Sequence, residues 1–240
     1  MVCMIRRTLW IALIGVFSLG ITSTEACPKK IVAVMGDDIA RHALPILINI
    51  YDSIGCSTEF DFLPGRRGIL EFNQGRIDGE LYRNPIAEQF YSRAFTRSSK
   101  PFVTVEQGIF LNPKYNDYTS VPIGYISGIK WHDLFVLNTL ANTKRLVRFN
   151  QKSKLMDAYE QGRIKGFLSS TLSVKLYNDE VGFKHAPQLS LAIGTVNLYH
   201  YLAKEHATIM EKIDQYVSSH KPFTQLNSKV YAKDRIPSTN

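Results

Sequence analysis

Arg83 is the side chain in this sequence best suited to hold an anionic ligand. It closely follows residues 77–81, which are predicted to form a buried strand, so Tyr82 and Arg83 are expected at the carboxyl end of that strand. A planar guanidinium there can hold a carboxylate through two parallel hydrogen bonds. A surface salt bridge is the other role open to Arg83. As an exposed arginine it should contribute little to folding.

Polar residues also follow the first predicted strand, at 31–35. Asp37 and Asp38 lie at its carboxyl end, where open parallel sheets place their ligands. Asp37 is therefore a candidate ligand contact. A carboxylate in this position is more often the N-cap of the following helix, and that role is predicted for Asp38.

A second group of candidates lies in the later half of the chain. These residues are Ser127, Gly128, Lys130, Trp131, Ser169 and Ser170. The first four lie at a turn between a strand predicted at 121–126 and a helix predicted at 131–140. Backbone N–H groups at such a turn can meet an anionic or polar ligand, although Trp131 could equally belong to the core. The two serines end the strand predicted at 164–168, near the same edge of the sheet.

The elements that position these residues come in two similar units. The segment 74–79, Gln-Gly-Arg-Ile-Asp-Gly, is matched by 161–166, Gln-Gly-Arg-Ile-Lys-Gly. Gly75 and Gly162 are expected just past a helix end, where a left-handed backbone suits glycine, and Ile77 and Ile164 should then open a buried strand. Two such units predict an α/β protein of two lobes.

The periodicity of apolar residues predicts the other elements. The predicted helices cover 46–54, 67–73, 131–140, 152–161, 171–178 and 208–217. The predicted strands cover 31–35, 59–63, 77–81, 102–111, 121–126, 145–149, 164–168, 183–189 and 196–202. Residues 94–101 are expected to form a loop, and residues 228–240 a polar tail that can fray.

The first 26 residues are predicted to be a cleaved signal peptide. Arg6 and Arg7 precede an apolar stretch at 9–21, and residues 24–26, Thr-Glu-Ala, offer a cleavage site before Cys27. The apolar stretch is short for a membrane span, which makes an uncleaved anchor the lesser alternative. A lipoprotein signal is disfavoured by Thr24 and Glu25. The mature protein is expected to be soluble and exported to the periplasm.

The net charge does not point to a nucleic-acid partner. The formal charge of the whole chain is +8, and cleavage lowers it to +7, because two arginines and one glutamate leave. No run of five or six basic residues is present, and basic and acidic residues alternate along most helical patterns. The excess of positive charge supports only a mild attraction for anionic ligands or surfaces.

The sequence contains no recognisable catalytic or metal-binding motif. Neither a His-x-x-x-His pair nor Gly-x-Ser-x-Gly occurs, and the six histidines are scattered. No catalytic residue, metal or cofactor is therefore predicted.

A disulfide between Cys27 and Cys56 is predicted. These are the cysteines that remain after cleavage, and each precedes a predicted strand of the same parallel pair. Closing this loop should stabilise the fold by roughly 3 to 4 kcal/mol. The alternative is two unpaired thiols.

Two segments resemble the bacterial periplasmic solute-binding proteins of the family 3 type, which have the type II periplasmic-binding fold. One is 75–80, Gly-Arg-Ile-Asp-Gly-Glu, and the other is 124–128, Gly-Tyr-Ile-Ser-Gly. The resemblance implies two lobes with a mainly parallel sheet in each and a ligand cleft between them. It implies a first lobe at 27–112, a second at 113–196 and a return to the first at 197–240, with hinge crossings near 112–120 and 192–196.

The resemblance also implies a function. Such a protein captures a small polar ligand, with a carboxylate as one option, by closing its lobes, for ABC-type uptake or for ligand sensing. An inner-membrane ABC permease or a membrane sensor would be its partner, and the protein itself would be a monomer that binds no nucleic acid. Residues 84–88, Asn-Pro-Ile-Ala-Glu, depart from the Thr-Pro-Glu-Arg pattern of amino-acid-binding members, so an amino-acid ligand does not follow. The alternative function is a periplasmic enzyme of the dehydratase type on the same fold.

Overall fold

The computed structural model describes residues 26–127, 129–140 and 145–227. The predicted signal peptide up to residue 25, Gly128, the side chain of Lys130 and the tail from residue 228 lie outside that description. Among the helices described, none is long and apolar enough to span a bilayer.

Strands and helices alternate along most of the described chain. The strands are β1 (Lys30–Val34), β2 (Glu59–Leu63), β3 (Gly79–Arg83), β4 (Phe95–Arg97), β5 (Val103–Leu111), β6 (Ile123–Ile126), β7 (Leu146–Phe149), β8 (Gly166–Ser170) and β9 (Gln188–Ala203). The helices are α1 (Asp38–Ser53), α2 (Gly65–Asn73), α3 (Lys130–Thr139), α4 (Lys152–Glu160), α5 (Thr171–Glu180), α6 (Ala207–His220) and α7 (Thr224–Asn227). A 3₁₀ helix, Pro85–Phe90, follows β3.

The strands form a sheet in the order β2-β1-β3-β9-β5-β8-β6-β7, with β4 paired to β9. In the first lobe β2, β1 and β3 are parallel, and in the second lobe β7, β6 and β8 are parallel. The strands β5 and β9 are antiparallel to each other and lie between the two groups. The predicted α/β fold of two lobes, each with a mainly parallel sheet, is confirmed.

Each lobe has apolar side chains packed on both faces of its sheet. In the first lobe Leu47 of α1 belongs to the core on one face, and Phe72 of α2 to the core on the other. In the second lobe Leu155 of α4 and Ile123 of β6 belong to the two corresponding cores. Helix α5 joins the lobes, because Leu172 packs into the first-lobe core while Val174 packs into the second.

The two glycine turns have the predicted backbone conformation. Gly75 has a φ of 69° and Gly162 a φ of 68°, in the left-handed region that favours glycine. Ile77 and Ile164 are buried as predicted, but each precedes its strand, since β3 begins at Gly79 and β8 at Gly166. The predicted strand positions were therefore about two residues too early.

Helix α1 begins well before the predicted helix at 46–54. Pro45 lies inside it and cannot donate a hydrogen bond to the carbonyl of Arg41. The turns before Pro45 are stabilised by a cap at Asp37 and by burial of Ala40 and Ala43 against the first-lobe core.

A single strand, β9, replaces two predicted strands. The strand predicted at 183–189 is wrong for most of its length, because β9 begins at Gln188. Short strand β4, which pairs with β9, lies in the stretch predicted as a loop. A three-residue strand carries too little periodicity to be distinguished from a loop by sequence.

The first crossing between the lobes lies inside β5. Val105 packs in the first-lobe core, whereas Ile109 packs in a second-lobe core. The crossing predicted at 112–120 is therefore too late: Tyr115 and Tyr118 in that stretch pack against the second lobe. The lobe boundaries drawn at residues 112 and 196 remain predictions.

The predicted disulfide is present. Cys27 and Cys56 are joined with a Cα–Cα distance of 5.4 Å, just before β1 and β2 at the amino-terminal edge of the first-lobe sheet. That edge is opposite to the one that carries the candidate ligand contacts.

Candidate functional site

The candidate site lies where the carboxyl ends of the parallel strands of both lobes come together. In the first lobe β1 leads to Asp37, and β3 ends at Arg83. In the second lobe β6 leads to Ser127, β7 leads to Asn150, and β8 ends at Ser170.

Asp37 is held in place by hydrogen bonds on both carboxylate oxygens. Its Oδ1 accepts from the backbone N–H groups of Ile39 at 2.9 Å and Ala40 at 3.4 Å, and its Oδ2 accepts from the Tyr82 hydroxyl at 2.9 Å. Burial raises the pKa of the Asp37 carboxyl, and these hydrogen bonds oppose the shift. Asp37, and not Asp38 as predicted, is the N-cap of α1. Tyr82 is buried, and its hydroxyl orients Asp37.

Asp38 forms an ion pair with Lys152 of the other lobe. Asp38 lies in the first turn of α1, and Lys152 is the first residue of α4. The two side chains are only 22% and 21% exposed. Burial lowers the pKa of Lys152 to about 8, against the opposing attraction of Asp37 and Glu180. The contact brings a charged group of each lobe to the same place.

A second ionic contact joins α1 to α5. Glu180 accepts from Arg41 at 2.9 Å and lies 3.0 Å from the Nε2 atom of His42. The hydrogen bond from Arg41 lowers the pKa of the Glu180 carboxyl. Together with the Asp38–Lys152 pair, this contact holds α1 against the second lobe.

Arg83 is paired within its own lobe. Its Nε donates to the carboxylate of Glu80 at 3.0 Å, and its Nη2 donates to the carbonyl of Gly65 at 2.8 Å. Glu80 is 1% exposed and also accepts a hydrogen bond from Tyr91, while the Arg83 side chain is 14% exposed. The expectation of an exposed arginine is wrong, because the bulge between β3 and β9 at this point turns Arg83 back toward Glu80. A ligand contact by Arg83 remains a prediction.

Ser127 lies at the rim of an open cavity in the second lobe. Its backbone N–H donates to the carbonyl of Phe149 at 2.8 Å, and its hydroxyl donates to the same oxygen at 3.3 Å. The cavity has a volume of about 420 Å³, and its described lining consists of Ser127, Arg148, Phe149 and Asn150. The size suits a small molecule.

The other candidates have local partners. Trp131 packs against the second-lobe core, with its ring edge-on to His132 at 4.1 Å between centroids. Ser170 accepts from the backbone N–H of Ser173 at 3.2 Å and caps α5. Ser169 and Ser170 are both buried. Their ligand roles, like those of Gly128 and Lys130, remain predictions.

Sequence reasoning missed Lys152, Arg148 and Asn150. All three lie close to the carboxyl end of β7, and the rule that selected Ser127 at the end of β6 could have selected them. The ion pair of Lys152 with Asp38 could not be found in this way, because the two residues are 114 positions apart along the chain.

Comparisons with known proteins identify the fold. No protein-family model matches the sequence, and no curated protein sequence matches it. Solved structures do match. One is an ABC uptake transporter substrate-binding protein from Streptococcus pneumoniae with bound histidine, with a TM-score of 0.64 and 13% sequence identity, over 82% of this chain and 89% of that one. The chain has the two-lobe fold of periplasmic binding proteins.

Two further structures with this periplasmic-binding-protein fold are similar to the chain. The P235GK mutant of ArgBP from T. maritima has a TM-score of 0.59 and 11% identity, over 82% of this chain and 93% of that one. A histidine kinase sensor domain with similarity to periplasmic binding proteins has a TM-score of 0.60 and 9% identity, over 84% of this chain and 95% of that one. The fold that the family resemblance implied is confirmed.

Proposed function

We propose that this protein captures a small polar ligand between its two lobes and closes around it. The observation that carries the proposal is that charged groups from both lobes meet at the strand ends, where Lys152 contacts Asp38 beside the half-buried Asp37. A ligand with polar groups on two sides could engage both lobes there. The strands β5 and β9, which run through both lobes, would form the hinge.

The proposed setting is the periplasm, after removal of the signal peptide, where the protein acts as a monomer. After binding, the protein delivers the ligand to an ABC permease or signals its presence to a membrane sensor. Both outputs fit the fold, which a transporter substrate-binding protein and a kinase sensor domain share. A binding role is proposed over the enzyme of the dehydratase type, and recovery of the bound ligand unchanged would distinguish them.

A thermal-shift screen of the mature protein against small carboxylates, amino acids and sugars tests the proposal. A ligand that binds only the folded state raises the melting temperature. Small-angle scattering with a compound that does so should then give a smaller radius of gyration. Failure of every compound, or binding with an unchanged radius, would contradict ligand capture by closure for the compounds tested.

A further inference from the structure

We propose that Arg148, with Asn150 and Ser127, forms a subsite for an oxyanion group, either a carboxylate or a phosphate. This inference rests on the proposed function and states which chemical group of the ligand the second lobe holds. It also moves the arginine that binds the anion from Arg83 in the first lobe to Arg148 in the second.

The two arginines differ in burial and in their partners. Arg83 is largely buried and already shares its guanidinium between Glu80 and Gly65. Arg148 is exposed, and its side chain has neither a hydrogen-bond partner nor an ion-pair partner among the residues that the structure describes. An arginine without a carboxylate partner can offer its paired N–H donors to an incoming anion.

The cavity places the donors of Arg148 and Asn150 together. Arg148 lines the cavity of about 420 Å³ at the carboxyl end of β7. Arg148 and Asn150 are two positions apart, which places them on one side of the extended chain at the end of that strand. The Asn150 amide adds two donors, and Phe149 provides apolar surface. The Ser127 hydroxyl adds one more donor when it turns away from the Phe149 carbonyl, which it contacts at 3.3 Å.

The charge of the cavity lining is positive among the residues that the structure describes. The lining residues that the structure describes contain a guanidinium and no carboxylate. The site therefore favours an anion over a cation or a neutral sugar. A planar guanidinium suits both carboxylate and phosphate, so the shared chemistry is an oxyanion, and the experiment separates the two sources.

The test titrates the mature protein at low ionic strength with succinate, citrate and inorganic phosphate. The amide signals of Asn150 are followed by two-dimensional NMR. At least one of the three anions should shift these signals in a saturable way, and Arg148→Ala should weaken that binding about tenfold or more. Arg148→Lys should recover only part of the affinity, because an ammonium cannot form the paired contact.

Arg163→Ala is the matched control. Arg163 is an exposed arginine of the same lobe, but it follows α4 at the opposite edge of the sheet. This variant should bind as the wild type does. If none of the three anions shifts Asn150, or if Arg148→Ala binds with wild-type affinity, the subsite is excluded. An anion that binds through Arg148 without reducing the radius of gyration supports the subsite and contradicts closure. A compound that reduces the radius of gyration equally well in the wild type and in Arg148→Ala supports closure and contradicts the subsite.

Discussion

The ammonium of Lys152 and the carboxylate of Asp38 form an ion pair between two lobes that are joined elsewhere by β5, β9 and helix α5. Both groups are largely withdrawn from water. Removing one partner of such a pair is costly, because the other is left buried without compensation, whereas replacing both with uncharged groups is often nearly neutral.

This asymmetry predicts the behaviour of Asp38→Asn. The variant should shift the lobes toward an open arrangement by about 1 to 2 kcal/mol, or a factor of roughly 5 to 30 in population. In the double variant Asp38→Asn with Lys152→Met, the balance between open and closed arrangements should return toward that of the wild type. Small-angle scattering of the unliganded proteins measures the change as a larger radius of gyration. Asp179→Asn, which breaks an ion pair within α5, is the control, and equal radii for Asp38→Asn and wild type would count against the prediction.

Lys152 should also give the folded protein a specific pH dependence. Its pKa is about 8 in the folded state, below the ordinary lysine value of about 10.4 expected in the unfolded chain. Between these values the unfolded state binds more protons, so the free energy of unfolding should rise with pH across that window. From about pH 7.5 to 9.5 the rise attributable to this group should be about 1 to 2 kcal/mol.

Urea unfolding of wild type and Lys152→Met at both pH values checks this dependence. Other titrating groups act in both proteins, so the difference between them isolates Lys152. If the free energy of unfolding changed with pH by the same amount in both proteins, the lowered pKa of Lys152 would be contradicted. Lys154→Met controls for loss of a lysine elsewhere on α4, because Lys154 is exposed.

Arg83→Met should destabilise the fold, contrary to the expectation for an exposed arginine. Glu80 would keep its charge at 1% exposure with its cationic partner gone, a loss of about 3 to 5 kcal/mol. Adding Glu80→Gln should recover part of that loss. Urea unfolding provides the measurement, and Arg163→Met is the exposed control. A change below about 0.5 kcal/mol for Arg83→Met would show that the Glu80 contact does not stabilise the fold.

The disulfide should stabilise the folded protein by restricting its unfolded state. The cysteines are separated by 29 positions, and the chain-entropy model gives about 3 to 4 kcal/mol for a loop of this length. Intact mass before and after reduction should show one bridge, and reduction should lower the melting temperature. Two thiols that alkylate without reduction would exclude the bridge.

The sequence predicted the local units of the fold and missed what depends on distant contacts. Gly75 and Gly162 marked both helix ends, because a left-handed turn favours glycine and is therefore visible in the sequence. The pairing of Arg83 with Glu80 depends on an irregularity in the ladder between β3 and β9, which pattern reasoning does not detect. Similarly, Lys152 was visible as a helix start, but its partner belongs to the other lobe.

The long strand β9 limits the order in which this protein can fold. It completes the first-lobe sheet by pairing with β3, and His200 on it contacts the carbonyl of Glu80, 120 positions earlier in the chain. The first lobe cannot finish its sheet until the carboxyl-terminal part of the chain has been made. Contacts of such high sequence separation slow folding. A nascent chain therefore keeps an incomplete first-lobe sheet until nearly all of it has been synthesised.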